Sequence, residues 1–509
     1  MQDKKRLSIN IIAQIVSFSV QFGINFFLTP FVVKKIGTDA YGFVGLSNTF
    51  ISYAQVLTVA LNSMAGRFIA IEYHQGNISS ASRYFTSVFY ANVFVALFIG
   101  IIAAGCVSYL DLMVNIPSHL IFDVKLLFTL LVLNFLFSII FSVFNVATFI
   151  KNRLDYVAIR SIISNIIRAS LLMIGFSLFV PMLWYIGLAS VICTLYISFV
   201  NIQYKRQLTP ELSINLSFFN IEKIKIISKS GIWNSVSRLS NVIEQGFDLL
   251  LANLFVGAYA MGQLAITKQI PVVVLTFMGL IGSAFAPSLT QSFANNSIGD
   301  MKKEILFSVK LMGFFSIIPL CFIFCFMDLF YELWLPGQKC KELYLLTIIS
   351  CSYFPILLSL EGAQNLWPVL NKVKIYSVAS IILSCCIFVT LFTGLHFISE
   401  YYKLYYLAGV SAFYNFLFTL IFIPVYASFC LKVKKSFFYP AILRVILSTA
   451  IVIIILLFMK FIIQIDSWLM LFLSFLVEFI LCFIIGFFVI LDDDNRYFVK
   501  CRIKSRLLK

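Results

Sequence analysis

Two rows of polar side chains lie inside stretches that are otherwise apolar. The first row recurs at spacings of three or four residues and comprises Asn10, Gln14, Ser17, Gln21 and Asn25. Residues at these spacings share one face of an α-helix. An amide in hydrocarbon costs several kcal/mol unless it is hydrogen-bonded. We therefore expect this face to line a water-accessible cavity or to meet a second polar row.

A second row has the same helical spacing and adds charge. Its members are Asn234, Ser237, Asn241, Glu244 and Asp248, flanked by Arg238 and Gln245. Glu244 and Asp248 are four residues apart and are predicted to share or relay a coupling proton. The predicted substrate cavity comprises Gln14, Gln21, Asn25, Asn234, Arg238, Asn241, Gln245 and Lys268. The alternative is that such residues only hold helices together, at about 1 kcal/mol each.

Single ionisable residues in apolar segments form a secondary group of candidates. They are Arg168, Glu361 and, near a membrane surface, Arg67. Their alternatives are structural pairing or a side chain that reaches back to the interface. For isolated amides such as Asn134 and Asn415, contact between helices is the favoured interpretation.

The composition excludes a soluble globular enzyme. Hydrophobic residues make up 61% of the 509 residues, charged residues only 12%, and the mean hydropathy is +0.98. Soluble domains are about half apolar and a quarter charged. The net charge of +16 comes from Lys and Arg in short clusters between apolar runs, which is typical of membrane topology rather than of nucleic-acid binding. Three scattered histidines and cysteines within apolar runs predict no metal site, no cofactor and no catalytic residue.

The apolar runs predict an all-α membrane protein with about fourteen transmembrane helices. The predicted spans are 9–33, 43–65, 86–109, 125–150, 157–180, 183–204, 230–256, 263–289, 305–327, 343–363, 375–396, 404–430, 441–462 and 468–490. Most Lys and Arg fall on one side of this topology, which places both termini in the cytoplasm. The first run is too long for a signal peptide and is interpreted as an uncleaved helix.

An internal repeat divides the first twelve predicted helices. An offset of 220 residues places Gly37 and Gly42 on Gly257 and Gly262, and Gln14 on Asn234. Such a repeat predicts two six-helix lobes related by a pseudo-two-fold axis along the membrane normal. The predicted parts are an N-lobe at 1–204, a cytoplasmic linker at 205–229, a C-lobe at 230–430, an accessory helix pair at 431–491 and a basic tail at 492–509.

Short motifs carry a resemblance to a known family. The segments KKIGTDAYGFVGL and NSMAGRFIAIEYHQGN follow the polar first helix and the second helix, and the first contains Lys35, Ile36, Gly37, Tyr41 and Gly42. This pattern resembles the bacterial polysaccharide-exporter flippases, the Wzx-like O-antigen and capsule translocases of the MATE-like MOP exporter superfamily. The resemblance implies alternating access of two lobes to an undecaprenyl-pyrophosphate-linked oligosaccharide in the bacterial inner membrane. It also implies contact with membrane lipids, a polysaccharide polymerase and a chain-length regulator.

Several alternatives remain open from the sequence. A cation-coupled multidrug antiporter and a lipid II flippase share the superfamily, and a membrane polysaccharide polymerase or glycosyltransferase represents a different class. The chain has no GxxxxGK[ST] motif, so transport is predicted to draw on an ion gradient or on substrate supply. Arg168, Arg238 and Lys268 are the deep cations of the sequence, and Arg238 or Lys268 is predicted to meet the pyrophosphate charge. The amides of Gln14, Gln21, Asn25, Asn234 and Asn241 are predicted to bind sugar hydroxyl groups.

Overall fold

The protein is helical throughout the residues that the computed structural model describes. These are 2–151, 153–283, 285–294, 297–370, 372–462 and 465–492, without the side chains of 2–12, 15, 241, 243–245, 287, 291 and 294. No strand occurs in these ranges, which confirms the all-α prediction.

The α-helices are numbered in chain order. They are α1 Gln2–Ile36, α2 Thr38–His74, α3 Ile78–Ser108, α4 Leu110–Met113, α5 Ile121–Phe141, α6 Val146–Ile150, α7 Leu154–Leu178, α8 Tyr185–Leu208, α9 Ile221–Phe255, α10 Ala258–Thr267, α11 Gln269–Ser283, α12 Ala286–Ala294, α13 Ile298–Trp334, α14 Cys340–Cys351, α15 Phe354–Leu360, α16 Leu366–Val369, α17 Val373–Gly394, α18 Glu400–Leu417, α19 Ile423–Leu431, α20 Tyr439–Ile462 and α21 Trp468–Val489.

Twelve spans in the described ranges are long and apolar enough to cross a membrane, and the count becomes thirteen if one bent pair forms a single span. That pair is Cys340–Cys351 with Phe354–Val369, which meet at 48°. The predicted span at 230–256 lies in α9, whose side chains at 241 and 243–245 are outside the described part of the structure. The described part of α9 includes the apolar stretch Gly246–Phe255. The count of fourteen stays a prediction.

Two compact units divide the chain, Met1–Ala265 and Ile266–Lys509. In the first unit, α9 packs along α2, so the seventh predicted span lies with the first six. Gly231 of α9 lies directly against the carbonyl of Ala60, and Gly246 lies against Thr49. Small residues allow such close approach of two membrane helices. The predicted two-lobe symmetry itself remains a prediction.

The turns at equivalent positions of the repeat share one backbone geometry. Gly37 between α1 and α2 has φ +85°, and Gly257 between α9 and α10 has φ +127°. Glycine is suited to both turns because it has no Cβ to clash at positive φ. Gly42 and Gly262, another equivalent pair, lie in contact: a Cβ on Gly42 would be 2.8 Å from the backbone nitrogen of Gly262.

Two spans break at nearly equivalent points. A 3₁₀ turn at Ser142–Asn145 separates α5 from α6, and another at Glu361–Asn365 separates α15 from α16. The 220-residue offset places the first turn on 362–365. Mid-helix 3₁₀ segments often mark functional hinges.

The connection between α8 and α9 is fastened to the first unit. Only residues 209–220 of the predicted linker are outside α8 and α9. Leu212 is fully buried, Thr86 donates to the carbonyl of Ser213 at 3.1 Å, and the backbone N–H of Asn220 donates to Ser87 Oγ at 2.9 Å. The apolar anchor and these hydrogen bonds hold the connection against α3.

The second unit is built around α13, whose most apolar window is 67% buried. Helices α20 and α21 pack on it, and Val445 fits against Gly313 while Phe314 fits against Gly486. Phe314 also stacks edge-to-face on Phe483 at 5.5 Å. The last two helices are therefore part of the second unit's core.

The close crossing of α2 and α9 predicts a stability difference between two glycines. A Cβ on Gly231 would lie 1.9 Å from the Ala60 carbonyl oxygen, whereas a Cβ on Gly105 would meet nothing within 4 Å. We expect Gly231→Ala to destabilise the purified protein by about 1–3 kcal/mol because the backbones must separate. Gly105→Ala serves as the control and should leave the thermal unfolding midpoint unchanged or slightly raised, because alanine favours a helix. Equal midpoints for the two variants would contradict the close packing.

Candidate transport site

The polar row of α1 is joined to α7 through one hydrogen bond. Arg168 Nη2 donates to Asn25 Oδ1 at 2.7 Å, while Gln14 and Gln21 are exposed. Arg168 Nε has no hydrogen-bond partner in the described part of the chain. A predicted cation and a predicted sugar-binding amide are thus adjacent within the first unit.

The described part of the α9 row lies along α2. Asn234 Nδ2 donates to Ser63 Oγ at 3.1 Å, and Arg238 Nη2 donates to Gln55 Oε1 at 2.8 Å. Both side chains are only partly buried. The sequence predicted that Arg238 could pair with Glu244 or Asp248, whereas the hydrogen bond seen here is to an amide of α2.

Of the two acidic candidates on α9, Asp248 has a described side chain. It is 6% exposed, and its Oδ1 accepts the backbone N–H of Leu249 at 2.8 Å. It is close enough to interact electrostatically with Tyr53 of α2, whose ring packs on Phe247 at 5.8 Å. The predicted Asn241, Glu244 and Gln245 lie outside the described side chains.

The candidates of the second unit are Lys268 and Glu361. Lys268 is half-buried between α10 and α11. Glu361 begins the 3₁₀ turn of the broken span, where Gln364 Nε2 donates to its Oε2 at 2.8 Å. Its side chain packs against Gly279 and Gly282 of α11, which leave room for it. A carboxyl group at a helix break is suited to binding a proton or a cation.

Arg67, the remaining secondary candidate, is exposed on α2. One turn earlier on the same helix is Asn62, which the sequence did not single out. Asn62 Nδ2 donates to Asn92 Oδ1 at 3.0 Å, and Ser142 Oγ donates to Asn62 Oδ1 at 3.1 Å. This triad joins α2, α3 and the broken fourth span. Asn62 follows Asn48, Ser52 and Gln55 at helical spacing, and this polar row on α2 is the sequence signal that could have identified it.

Two buried cations were also missed. Lys310 of α13 is 7% exposed and forms an ion pair with Asp492, which also pairs with Arg444 of α20. Hydrogen bonds from Lys310 and Arg444 hold the pKa of the Asp492 carboxyl below its usual range. Arg160 of α7 is 6% exposed, and its Nη1 has no hydrogen-bond partner among the described residues. Neither residue was a candidate from the sequence.

Comparison with known proteins places this geometry in a fold class. No protein-family model matches the chain. The uncharacterized membrane protein EpsK of Bacillus subtilis (strain 168) is 27% identical over 466 residues, which is 91% of this chain and 91% of that protein.

Two solved structures share the architecture at low identity. The lipid II flippase MurJ in an inward closed conformation has a TM-score of 0.67 at 13% identity and covers 93% of this chain and 97% of its own. An inward-facing multidrug resistance MATE family transporter of the MOP superfamily has a TM-score of 0.66 at 14% identity, covering 84% and 98%. The chain has the MOP superfamily fold. The MOP structures that it resembles are transporters and flippases, not enzymes.

The buried carboxyl group of α9 gives a direct test of the predicted coupling role. We expect Asp248→Asn to lower transport by roughly tenfold or more, because an intramembrane acid is costly unless it functions. Glu244→Gln is expected to act in the same way. Protein level and thermal stability should remain unchanged, since an amide has the same shape.

Asp111→Asn provides the matched control, because Asp111 lies between membrane spans and pairs with Lys125. Transport at the wild-type rate by both the Asp248 and Glu244 variants would remove them from the coupling mechanism.

Proposed function

We propose that this protein is a flippase that moves undecaprenyl-pyrophosphate-linked oligosaccharide repeat units across the bacterial inner membrane. The observation that carries the proposal is the extent of the match to the lipid II flippase, 93% of this chain. The MATE transporter match covers 84%. The lipid II flippase therefore matches more of this chain than the multidrug transporter does.

The chemistry of the described side chains supports a substrate that combines sugar and phosphate. Asn25 and Asn234 supply amides, and Arg168 lies next to Asn25 with one guanidinium nitrogen unpaired. Guanidinium groups bind phosphate oxygens well because their donors are arranged as a planar fork. Exposed amides on the same helices suit sugar hydroxyl groups.

The proposed transport cycle is alternating access. The head group enters a polar cavity from the cytoplasmic side while the polyprenyl tail stays in lipid. Protonation of Asp248 and Glu244 would bias one conformation over the other, which is the minimum that coupling to a gradient requires. The drug antiporter and the lipid II flippase are the alternative substrates for the same fold.

The test is genetic. We expect deletion of the gene in its own host to abolish a surface polysaccharide and to trap single lipid-linked repeat units on the cytoplasmic side of the membrane. The measurements are surface polymer by immunoblot and lipid-linked intermediates by mass spectrometry. A plasmid copy should restore both.

An intact surface polymer together with altered resistance to cationic drugs would contradict the proposal and favour the antiporter. Intact polymer with a defect in cell-wall synthesis would favour lipid II as the substrate.

A further inference from the structure

A polar cavity of about 250 Å³ lies in the first unit, beside the break in the fourth span. Its wall includes Asn62 and Gly66 of α2, Ser142 and Asn145 of the 3₁₀ turn, and Phe149 of α6. A Cβ on Gly66 would meet nothing within 4 Å, so the cavity continues up to this helix backbone. None of these residues belongs to the predicted cavity set.

Hydrogen bonds within the protein hold one wall of this cavity, and the opposite wall carries an exposed amide. The triad of Asn62, Asn92 and Ser142 fixes the inner wall through mutual hydrogen bonds of 3.0 to 3.1 Å. Asn145 is exposed, and its side-chain amide makes no hydrogen bond to the described part of the chain. The exposed ring of Phe149 lies one helical turn further on.

In the second unit, the residues at the predicted equivalent positions hydrogen-bond to each other. The 220-residue offset places Asn62 and Asn145 on Gly282 and Asn365. Asn365 Nδ2 donates to the carbonyl of Gly282 at 2.9 Å, which ties the broken span to α11. The equivalent amide in the first unit makes no such bond and faces a cavity. Stabilising the helix break therefore does not account for Asn145.

The lining residues of this cavity differ in polarity from those of another cavity in the first unit. A cavity of about 300 Å³ between α2, α3 and α5 is lined almost wholly by apolar side chains such as Phe50, Leu57 and Phe135, and suits a lipid chain. The cavity at the helix break instead presents the amide of Asn145 and the aromatic ring of Phe149, beside the hydrogen-bonded wall that the triad forms. A sugar ring needs both kinds of contact, because its rim is polar and its faces carry C–H groups.

We propose that the cavity at the helix break binds one sugar ring of the transported oligosaccharide. Asn145 hydrogen-bonds to a sugar hydroxyl group, Phe149 packs against the face of the ring, and the triad of Asn62, Asn92 and Ser142 holds the opposite wall in place. The predicted transport site lies along the same helix, since Ser63, the next residue after Asn62 on α2, accepts the hydrogen bond from Asn234. This inference rests on the proposed flippase function and adds a sugar-recognition site to it.

The first test fills the cavity. Gly66→Leu places a side chain in the open space and should lower polymer export at least tenfold, while Gly66→Ala, which also favours the helix, should export normally. Gly105→Leu is the matched control, because this glycine also has open space around it but lies outside the cavity. Protein level and thermal unfolding of each purified full-length variant would be measured alongside export.

The second test removes a hydrogen bond without affecting packing. Asn145→Ala should lower export about fivefold, the ratio that corresponds to about 1 kcal/mol for one hydrogen bond. Because Asn145 is exposed, this variant should fold normally even if Gly66→Leu does not. Normal export by Asn145→Ala in a host whose polymer depends on the wild-type gene would overturn the sugar site and leave the flippase function standing. A polymer that does not depend on the gene would instead remove the flippase function.

The third test detects occupancy. The Asn145→Cys variant in lipid nanodiscs would be treated with a maleimide, and labelling at position 145 would be measured by peptide mass spectrometry. Lipid-linked oligosaccharide extracted from the deletion host should slow labelling several-fold, whereas undecaprenyl phosphate should not. Equal protection by both lipids would overturn the proposal, since the phosphate or the tail would then occupy the cavity. No protection by either lipid would also overturn it.

Discussion

The absence of water in the hydrocarbon core is the constraint on which the rest of this structure depends. Backbone N–H and C=O groups must be satisfied within the protein, and helices do this locally. Where a span breaks, side chains replace the lost backbone partners. Thr148 Oγ1 donates to the carbonyl of Asn145 at 2.8 Å, and Asn365 Nδ2 donates to the carbonyls of Gly282 and Gly362. The breaks in the fourth and tenth spans therefore persist in an apolar environment without exposing unpaired backbone.

The same constraint determines how helices associate. Lipid chains are as apolar as leucine, so membrane helices gain little from burying apolar faces and depend on close contact and polar pairs. The contact of α2 with α9 and α10 depends on Gly231, Gly246 and Gly262, where the backbones approach closely. Polar pairs such as Lys460 with Asp328 at 2.6 Å join α20 to α13 in the second unit. Glycines and paired charges are thus the specific elements within a chain that is mostly Leu, Ile and Phe.

Helical class and approximate span positions could be read from the sequence because they depend on local composition and spacing, while the 220-residue repeat stays a prediction. Side-chain partners could not. Arg168 meets Asn25 across 143 residues of chain, and Lys310 meets Asp492 across 182. Such pairings depend on how each helix is rotated about its axis, which apolar sequences specify weakly. Asn234 of the α9 row and the flanking Arg238 hydrogen-bond to α2, partners that the spacing did not indicate, and the predicted cavity role of the row stays a prediction.

The repeat also separates scaffold from function by comparing equivalent positions. Gly37 and Gly257 share a turn geometry, and Gly42 and Gly262 share a contact, so these positions serve the fold in both halves. Asp248 has no such counterpart: the offset places it on Leu28, which is buried in the apolar core of the first unit at 8% exposure. A leucine satisfies this position at no electrostatic cost, whereas a buried carboxyl group is costly unless it is paired. If the predicted repeat holds, the fold alone does not require a carboxyl group here, which is the reason why Asp248 is the acid proposed for coupling.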